Sequence, residues 1–537
     1  MRPPVRIERL IQRVSFIIIS FLTGRRPANE LARCGADPPG DPSMSTRRPV
    51  VYSDSSKKKG AEICRRWQLT IMEFVCSCWR STCVKRVEVT PYPENRCLAI
   101  APTLWGKPAS WTLLASSRWL SVFFFCSLLL PPLPFPIGNS GVHIAPLVAL
   151  LGLVAGVTRA DEWRFAEIHR RWSLSLLFVL FLAFLTGSTA FALAYSGWKI
   201  ALGSLARVVL FGVGVYVFLY TFIGPRQNEP EPWTFSRFLF WAGLLSATFA
   251  CIDSYFQLPA LARYAPQFVW LNHSLVRRAQ GVFYEASTLG NFCAFFLVMI
   301  LVAAFSPRGQ RVCPRLVLVP AALIFLAALI LSSSRASVFT VLAAGFAFVC
   351  LRRLKTSVIL MAIGAFLSAA VVVGVAFPTF SISYWLRLAF SIRYLWSSPD
   401  SVLSGRITNA KTLINFLVQH PWHLLFGIGY KTIPYTNYTG AGPAGSHPVA
   451  DNTWLSLLVE TGIIGLSAFA VLNAAILRTA WRAARSDQSK ASFFGTWIFC
   501  FWCGEMVQMF TGDLITYWRV LPVYLWVLAT AARENGE

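Results

Sequence analysis

Residues 173–194 read SLSLLFVLFLAFLTGSTAFALA, and residues 199–223 read KIALGSLARVVLFGVGVYVFLYTFI. Both stretches carry few charges, and both reach the roughly 20 residues that a helix needs to cross the hydrocarbon core of a membrane. Of the 537 residues, 55% are hydrophobic and only 14% are charged, whereas a soluble domain is usually about 25% charged. The sequence therefore predicts an integral membrane protein of the all-α class.

Similar apolar runs recur on both sides of these two stretches. About twelve are found, at 114–135, 142–158, 173–194, 199–223, 236–256, 286–306, 315–332, 337–351, 356–377, 453–477, 493–511 and 515–532. Prolines interrupt the first two runs, and the run at 337–351 is short, so the count carries a margin of one or two. We predict a polytopic protein with about 12 transmembrane helices.

Basic residues in the short connections predict the orientation of the chain, because Lys and Arg favour the cytoplasmic side. They follow the even-numbered runs: Arg159, Arg164, Arg170, Arg171, Arg226, Arg308, Arg311, Arg352, Arg353, Lys355, Arg478, Arg482, Arg485 and Lys490. Both termini are then cytoplasmic, and the long loop 378–451 is extracytoplasmic, as is 257–285. The net charge of +25 fits this topology and contact with anionic membrane lipids better than a nucleic-acid partner, which we do not expect.

Residues 1–110 differ from the rest, because they are polar, basic and contain several cysteines. They predict a cytoplasmic or disordered region, or an over-extended start with Met72 as one candidate for the true start. Cys76, Cys78 and Cys83 lack the paired spacing and the nearby His of a zinc site, so we expect no metal. The remaining predicted parts are membrane helices 1–9 at 111–377, the loop at 378–451, and membrane helices 10–12 with a short cytoplasmic tail at 452–537.

Two arginines are candidates for function. Arg335 follows three serines at the end of an apolar run, where a charge is expensive and is by default functional; the alternative is an arginine that snorkels to the interface. Arg406 opens an amphipathic stretch whose apolar residues share one helical face: Ile407, Ala410, Leu413, Ile414, Leu417 and Val418. This pattern predicts a helix along the outer membrane interface, with Arg406 at its N-terminal end.

Four ordered motifs give a family resemblance over about residues 275–470. They are Arg278-Ala-Gln-Gly281-Val-Phe283 through Asn291; Ser334-Arg335-Ala336; Gly405-Arg406 with Pro421-Trp422 and Phe426-Gly427-Ile428-Gly429; and Asn452 with Gly462 and Gly465. In this order they resemble the O-antigen ligase and polymerase superfamily of bacterial polysaccharide assembly. Where ligases of that family carry His before the Asn, this chain has Asp451, and His447 lies four residues earlier. An Asp at this place leans toward polymerases and other polysaccharide-transfer proteins.

The resemblance implies a metal-independent membrane glycosyltransferase that needs no cofactor. Its partners are an undecaprenyl-pyrophosphate-linked glycan as donor, a lipid A core or growing polysaccharide as acceptor, and membrane lipids. The protein would lie in the bacterial cytoplasmic (inner) membrane, with its active site facing the periplasm. Ligase and polymerase both stay open. A non-enzymatic flippase or exporter of polysaccharide precursors is the alternative of another class, and it would carry its ionisable groups near the bilayer midplane.

The resemblance also implies roles for particular residues. Arg335 and Arg406 would bind the pyrophosphate, since a guanidinium is always charged and binds phosphate oxygens in pairs. His447 or Asp451 would be the catalytic base.

The remaining candidates support substrate binding. They are Arg278 and Glu285 on the acceptor side, together with Asn452 and Glu460. Glu460 is expected to pair with one of the arginines, because an unpaired charge in a membrane is costly. For Asp451 and Asn452, capping of the following helix is the alternative role.

Overall fold

The apolar runs fold into a helical bundle in the computed structural model. The structure describes residues 118–132, 143–157, 172–224, 231–257, 267–271, 274–283, 285–307, 312–355, scattered positions between 357 and 397, 406–436, 452–512, 515 and 517–536. Its helices are α1 (Arg118–Leu129), α2 (Ile144–Val157), α3 (Trp172–Ser196), α4 (Trp198–Ile223), α5 (Pro232–Phe256), α6 (Ala286–Phe305), α7 (Arg315–Leu331), α8 (Arg335–Arg352), α9 (Arg406–Gln419), α10 (Pro421–Phe426), α11 (Thr453–Ala484), α12 (Ser489–Gln508) and α13 (Leu521–Glu534).

Six of the described helices are long and apolar enough to span a membrane: α3, α4, α5, α6, α8 and α11. Shorter apolar helices fall within α1, α2 and α7. The predicted class of polytopic membrane protein is thus confirmed. The total of about twelve spans stays a prediction, and the run at 356–377 lies mostly outside the described residues, as does 1–110.

Among the described residues, a β-hairpin departs from the all-α prediction. Strand β1 (Phe268–Leu271) pairs antiparallel with β2 (Ser274–Arg277), and Phe268 lies opposite Arg277. Both strands contain β-branched or aromatic residues, which favour extended backbone. The hairpin lies within 257–285, the segment that the sequence assigns to a loop between α5 and α6.

Helix α6 lies at the centre of the bundle. Of its apolar window, 78% is buried, against 28% for α3 and for α8. It packs against α5, α7, α8 and α12, and the side chains of Phe292, Phe295 and Phe296 are fully buried there. Close packing of this kind holds helices together in lipid, where burial from water contributes little. The N-terminal end of α6 is therefore a fixed point for the residues around it.

A buried polar cluster ties three helices together. Asn291 of α6 donates a hydrogen bond from Nδ2 to Glu505 Oε1 of α12 at 2.5 Å. The Tyr524 hydroxyl of α13 donates to Asn291 Oδ1. All three side chains are fully buried. Because polar groups inside a membrane protein need partners, this cluster fixes the three helices against one another.

Arg519 lies just before α13 and is buried. Its guanidinium N–H groups donate hydrogen bonds to backbone carbonyls. Its Nε donates to Ser127 O at 2.8 Å, one Nη donates to Leu130 O at 2.8 Å, and the other donates to Val282 O. Its guanidinium also lies 5.0 Å from the centroid of the Phe283 ring. Several hydrogen bonds offset the cost of burying the charge, so Arg519 joins the end of α1 to the turn before α6.

His143 caps α2 beside this arginine. Its Nδ1 accepts a hydrogen bond from the Ala145 N–H at 3.1 Å, and its Nε2 lies 3.0 Å from Leu130 O. This arrangement requires the neutral ring, with its proton on Nε2. Burial, reinforced by the nearby Arg519 charge, lowers the pKa of His143 to about 3.

Candidate functional site

The turn between α7 and α8 places Arg335 at the first position of α8. Ser333 has a positive φ of 53°, and the preceding helix ends at Leu331. Ser334 caps α8, because its Oγ accepts a hydrogen bond from the Ser337 N–H at 3.4 Å. Arg335 is half-buried. Helix N-termini carry exposed N–H groups and a partial positive charge, so this turn favours an anion beside the arginine.

Arg278 is fastened to the same turn. Its Nε donates to Ser332 O at 2.8 Å, and the neighbouring Ala279 N–H donates to Leu331 O at 2.9 Å. Two of the three arginines that the sequence proposes, Arg278 and Arg335, therefore belong to one end of the bundle, although they lie 57 positions apart in the chain.

Close packing explains the glycine of the Arg278-Ala-Gln-Gly281-Val-Phe283 motif. Gly281 has a φ of +57°, and a Cβ there would lie 2.8 Å from the Ala250 Cβ on α5. The following Phe283 is fully buried. Arg277, at the end of β2, forms a salt bridge of 3.2 Å with Asp253 of α5. These contacts fix the segment that carries Arg278.

Glu285 immediately precedes α6, at the N-cap position. Its carboxylate makes no capping hydrogen bond; it accepts one from the Ser287 hydroxyl at 3.0 Å. The same carboxylate acts electrostatically on Lys431, in the loop after α10, and on Tyr517, before α13. Glu285 thus lies within electrostatic reach of two segments that are distant from it in the chain.

Helix α11 is broken at Gly462, which has a φ of +69°. In a continuous helix the carbonyls of Val459 and Glu460 would accept from residues four positions later. Here they accept instead from the loop after α10: Ile428 N–H donates to Val459 O at 3.1 Å, and Gly429 N–H to Glu460 O at 2.8 Å. This loop, residues 427–432, is the Gly-rich loop. It replaces the hydrogen bonds that the break removes.

Glu460 is buried beside this break. Its carboxylate accepts a hydrogen bond from the Ser456 hydroxyl at 3.1 Å and further ones from the backbone N–H groups of Lys431 and Ile433. The cation that acts on it is Lys431, in place of the arginine that the sequence predicts. No sequence pattern marks Lys431 as this partner, because the loop meets α11 only in the folded chain.

Lys431 is itself buried, with 6% of its surface exposed, and it has a φ of +56°. Its carbonyl accepts from Arg207 of α4 at 3.4 Å, and the carbonyl of Tyr430 accepts from the Ser204 hydroxyl at 2.5 Å. Burial lowers the pKa of Lys431, while the carboxylates of Glu460 and Glu285 act in the opposite direction. Helix α4 therefore holds the loop in addition to α11.

Arg406 begins α9 and is half-buried. The helix docks through Leu413, Phe416 and Leu417, which pack with Val459 and other residues of α11 and the loop. At 1.5 Å per residue, Leu413 lies about 10 Å along the helix from Arg406. Arg406 is thereby carried on a helix that is anchored to the Gly-rich loop.

The buried face of α9 differs from the one that the spacing predicts. Leu413 and Leu417 are buried as expected, but Ile414 is 50% exposed and Val418 is 75% exposed. Phe416, outside the predicted face, takes part in the packing instead. The helix contacts the protein through Leu413, Phe416 and Leu417 and leaves Ile414 and Val418 uncovered by protein. Its predicted position along the outer membrane interface stays a prediction.

Asn452 is the N-cap of α11. Its Oδ1 accepts from the N–H groups of Trp454 at 2.9 Å and Leu455 at 3.2 Å. The alternative role that the sequence offers for this residue, helix capping, is therefore the one seen in the structure. His447 and Asp451, the two candidates for the base, lie outside the described residues.

Residues 320–470 match the family model for O-antigen ligase. The predicted resemblance is confirmed over this segment, which contains Arg335, Arg406, Asn452 and Glu460; Arg278 and Glu285 precede it. A search of curated proteins finds no match. This multi-pass membrane protein is thus similar to the O-antigen ligase family over residues 320–470.

Proposed function

We propose that this protein transfers a glycan from an undecaprenyl-pyrophosphate carrier to an acceptor, at the outer face of the bacterial cytoplasmic membrane. The observation that supports it best is the shared turn of Arg278 and Arg335, inside and beside the matched segment. The Arg335 guanidinium at a helix N-terminus, at one end of a membrane bundle, suits a lipid pyrophosphate, and Arg278 on the same turn places the proposed acceptor side next to it.

In the proposed reaction an acceptor hydroxyl attacks the anomeric carbon of the glycan. The new C–O bond forms as the bond from that carbon to the pyrophosphate oxygen breaks, and the electron pair leaves with the pyrophosphate. Arg335 and Arg406 stabilise the negative charge that develops there. A base takes the hydroxyl proton, and His447 or Asp451 is proposed for this role, as an Asp with a partly desolvated carboxylate can accept a proton.

The acceptor side is assigned to Arg278 and Glu285, and Asn452 and Glu460 support the site through helix capping and loop attachment. This assignment uses neither a metal nor a cofactor. Both termini are proposed to be cytoplasmic, and loop 378–451 to be extracytoplasmic, because the basic short connections favour that orientation.

Two forms of the reaction fit these residues. A ligase would use a lipid A core as acceptor, whereas a polymerase would use a growing polysaccharide. Asp451 in place of the His of the ligases favours the polymerase. A flippase or exporter of precursors is the competing function of another class, and it would not need a base near the pyrophosphate.

The test uses the purified full-length protein in detergent with a glycan on undecaprenyl pyrophosphate. Transfer is measured with a lipid A core as acceptor or with more of the glycan lipid, which separates ligase from polymerase. Arg335→Ala and Arg406→Ala are expected to lower the rate by roughly 100- to 1,000-fold, as for loss of a donor to a developing charge.

Matched controls come from exposed basic residues of the same elements. Lys411→Ala changes the helix that begins with Arg406, and Arg315→Ala lies at the far end of α7 from Arg335. Both should leave transfer unchanged. If Arg335→Ala and Arg406→Ala preserve glycan assembly in cells while the purified protein only binds the lipid, the enzyme proposal is wrong and transport is favoured.

A further inference from the structure

Arg207 is a charged residue of the membrane-spanning helix α4 to which the proposed reaction assigns no role. It lies nine positions after the first residue of α4, about 13 Å along the helix, and it is half-buried. A charge within a membrane span is costly, so such residues face the bundle interior or a water-filled space and are functional by default. The exposed part of Arg207 therefore requires polar surroundings rather than lipid tails.

Tyr435 packs directly against this guanidinium. The Arg207 Cζ lies over the Tyr435 ring, 4.6 Å from the ring centroid, and Arg207 Nη1 donates to Lys431 O at 3.4 Å. Attraction between a cation and an aromatic face holds the two side chains together. Because the cation covers one face of the ring, the 47% of Tyr435 that is exposed lies at the other face and at the ring edge. The pair thus presents an aromatic surface beside the N–H groups of a guanidinium.

Buried contacts on both sides of Tyr435 fix its position. Ile433 is buried in the same apolar cluster as Leu413 of α9. Thr436 is also buried, and its hydroxyl accepts a hydrogen bond from the Ser196 hydroxyl at the end of α3 at 3.0 Å. Tyr435 is thereby joined to α9, the helix that begins with the arginine proposed to bind the pyrophosphate.

We propose that Tyr435 and Arg207 form a sugar-binding platform, on which a pyranose ring of the lipid-linked donor glycan stacks. This inference rests on the proposed function, which supplies the donor. The C–H groups on one face of a pyranose pack against an aromatic ring, whose face carries a partial negative charge. A guanidinium carries several N–H donors, which suit the hydroxyl groups at the edge of the sugar. The platform is assigned to the donor because its segment packs with the helix that begins with Arg406.

An anchor at the membrane interface is the competing role for an exposed tyrosine. Such an anchor would affect a bare lipid and a glycosylated lipid equally, whereas a sugar platform acts on the glycosylated lipid alone. Comparison of the two lipids therefore separates the two roles, and it needs no acceptor.

The experiment titrates the detergent-purified full-length protein with two lipids, on ice so that turnover is suppressed. One is undecaprenyl pyrophosphate, and the other is the same lipid carrying the oligosaccharide unit of the host cell. The wild-type protein should bind the glycosylated lipid more tightly. Tyr435→Leu should weaken binding of the glycosylated lipid by roughly 3- to 10-fold, the range for one aromatic contact, and leave binding of the bare lipid unchanged.

Further variants identify the interaction. Tyr435→Phe keeps the ring and should bind both lipids as the wild-type protein does. Arg207→Met removes the N–H donors and should weaken only the glycosylated lipid, by roughly 10-fold, as for loss of a hydrogen bond from a charged group. Tyr255→Leu removes another exposed tyrosine, 66% exposed on α5, and is the control that should change neither affinity.

Three results would overturn the platform: unchanged binding of the glycosylated lipid in Tyr435→Leu, equal weakening of both lipids, or an equal loss in Tyr435→Phe. Should Arg207→Met not fold, the two Tyr435 variants carry the test, because that ring is exposed. Failure of the proposed function gives a different result, since the wild-type protein would then bind the glycosylated lipid but transfer glycan to neither acceptor.

Discussion

At the scale of single residues, two glycines allow the backbone of the Gly-rich loop to touch the break in α11. Gly427 and Gly462 both have positive φ, 72° and 69°. A Cβ on Gly427 would overlap the backbone of Glu460, and one on Gly462 would overlap the carbonyl of Leu425. The contact that presents Lys431 therefore depends on the absence of two side chains.

Replacing either glycine by alanine should loosen this contact. Gly427→Ala and Gly462→Ala are each expected to destabilise the protein by about 1–3 kcal/mol, because the new Cβ meets backbone and the positive φ is strained. Thermal unfolding in detergent measures the change. Gly345→Ala is the control, since nothing lies within 4 Å of a Cβ there; equal loss in all three variants would refute the explanation.

The sequence predicts these glycines only as parts of a motif. Their pairing joins residues 35 positions apart, and the hydrogen bond from the Lys431 N–H to Glu460 joins residues 29 positions apart. Hydropathy and residue spacing report local periodicity. They therefore predict the helices but not the contacts between residues that are far apart in the chain. The sequence predicts Arg335 as a functional residue because its charge interrupts an apolar run. Lys431 lies in a polar loop, so no comparable pattern marks it.

At the scale of elements, the site depends on short pieces docked onto long helices. Helix α9 is docked onto the protein through Leu413, Phe416 and Leu417. Helix α2, outside the site, is capped at its start by His143. The amphipathic pattern predicts that α9 exists. It does not distinguish the stripe that meets α11 from the stripe at Ile414 that stays uncovered, because both stripes are apolar.

The docking of α9 predicts that substitutions at different positions of this helix change its docking free energy by different amounts. Leu413→Ala should cost about 2–5 kcal/mol of docking stability, as for other buried leucines. Val418→Ala should change it by less than about 0.5 kcal/mol, as the side chain is 75% exposed. Hydrogen exchange of α9 amides gives the comparison, and equal protection in the two variants would contradict this packing.

The cap of α2 predicts sensitivity to acid. Because the pKa of His143 is lowered to about 3, the unfolded chain binds a proton between that value and about 6.5 that the folded chain does not. Stability should fall as pH drops through this window, by roughly 2 kcal/mol between about pH 6.5 and 4.5.

The variant His143→Asn isolates this contribution. Asn retains an acceptor for the Ala145 N–H but does not titrate. Its thermal stability in detergent should therefore change less across the same pH range than that of the wild-type protein. Parallel pH profiles for the two proteins would show that another group is responsible.

At the scale of the whole molecule, a bundle centred on α6 brings distant segments together, as where Arg278 contacts the turn before Arg335. Composition and run length are enough to predict a polytopic membrane protein. They do not predict the hairpin at 268–277, whose eight paired residues are too few to give a pattern. The shared turn of Arg278 and Arg335 likewise follows from packing around α6.

The orientation of the bundle gives a prediction about its termini. A fluorescent protein fused after Glu537 should fluoresce, whereas alkaline phosphatase in the same place should be inactive, because that enzyme needs the periplasm to form its disulfides. Alkaline phosphatase inserted after residue 440 should be active. The reverse pattern would place loop 378–451 in the cytoplasm and remove its access to a donor in the outer leaflet.

The most direct measurement follows the leaving group. Purified protein is mixed with glycan-linked undecaprenyl pyrophosphate and acceptor, and free undecaprenyl pyrophosphate is quantified beside the glycan joined to acceptor. The proposed function predicts equal amounts of the two products, with both lost in Arg335→Ala and both kept in Arg315→Ala. Intact donor after prolonged incubation with folded wild-type protein and either acceptor, or product formation unaffected by Arg335→Ala, would contradict it.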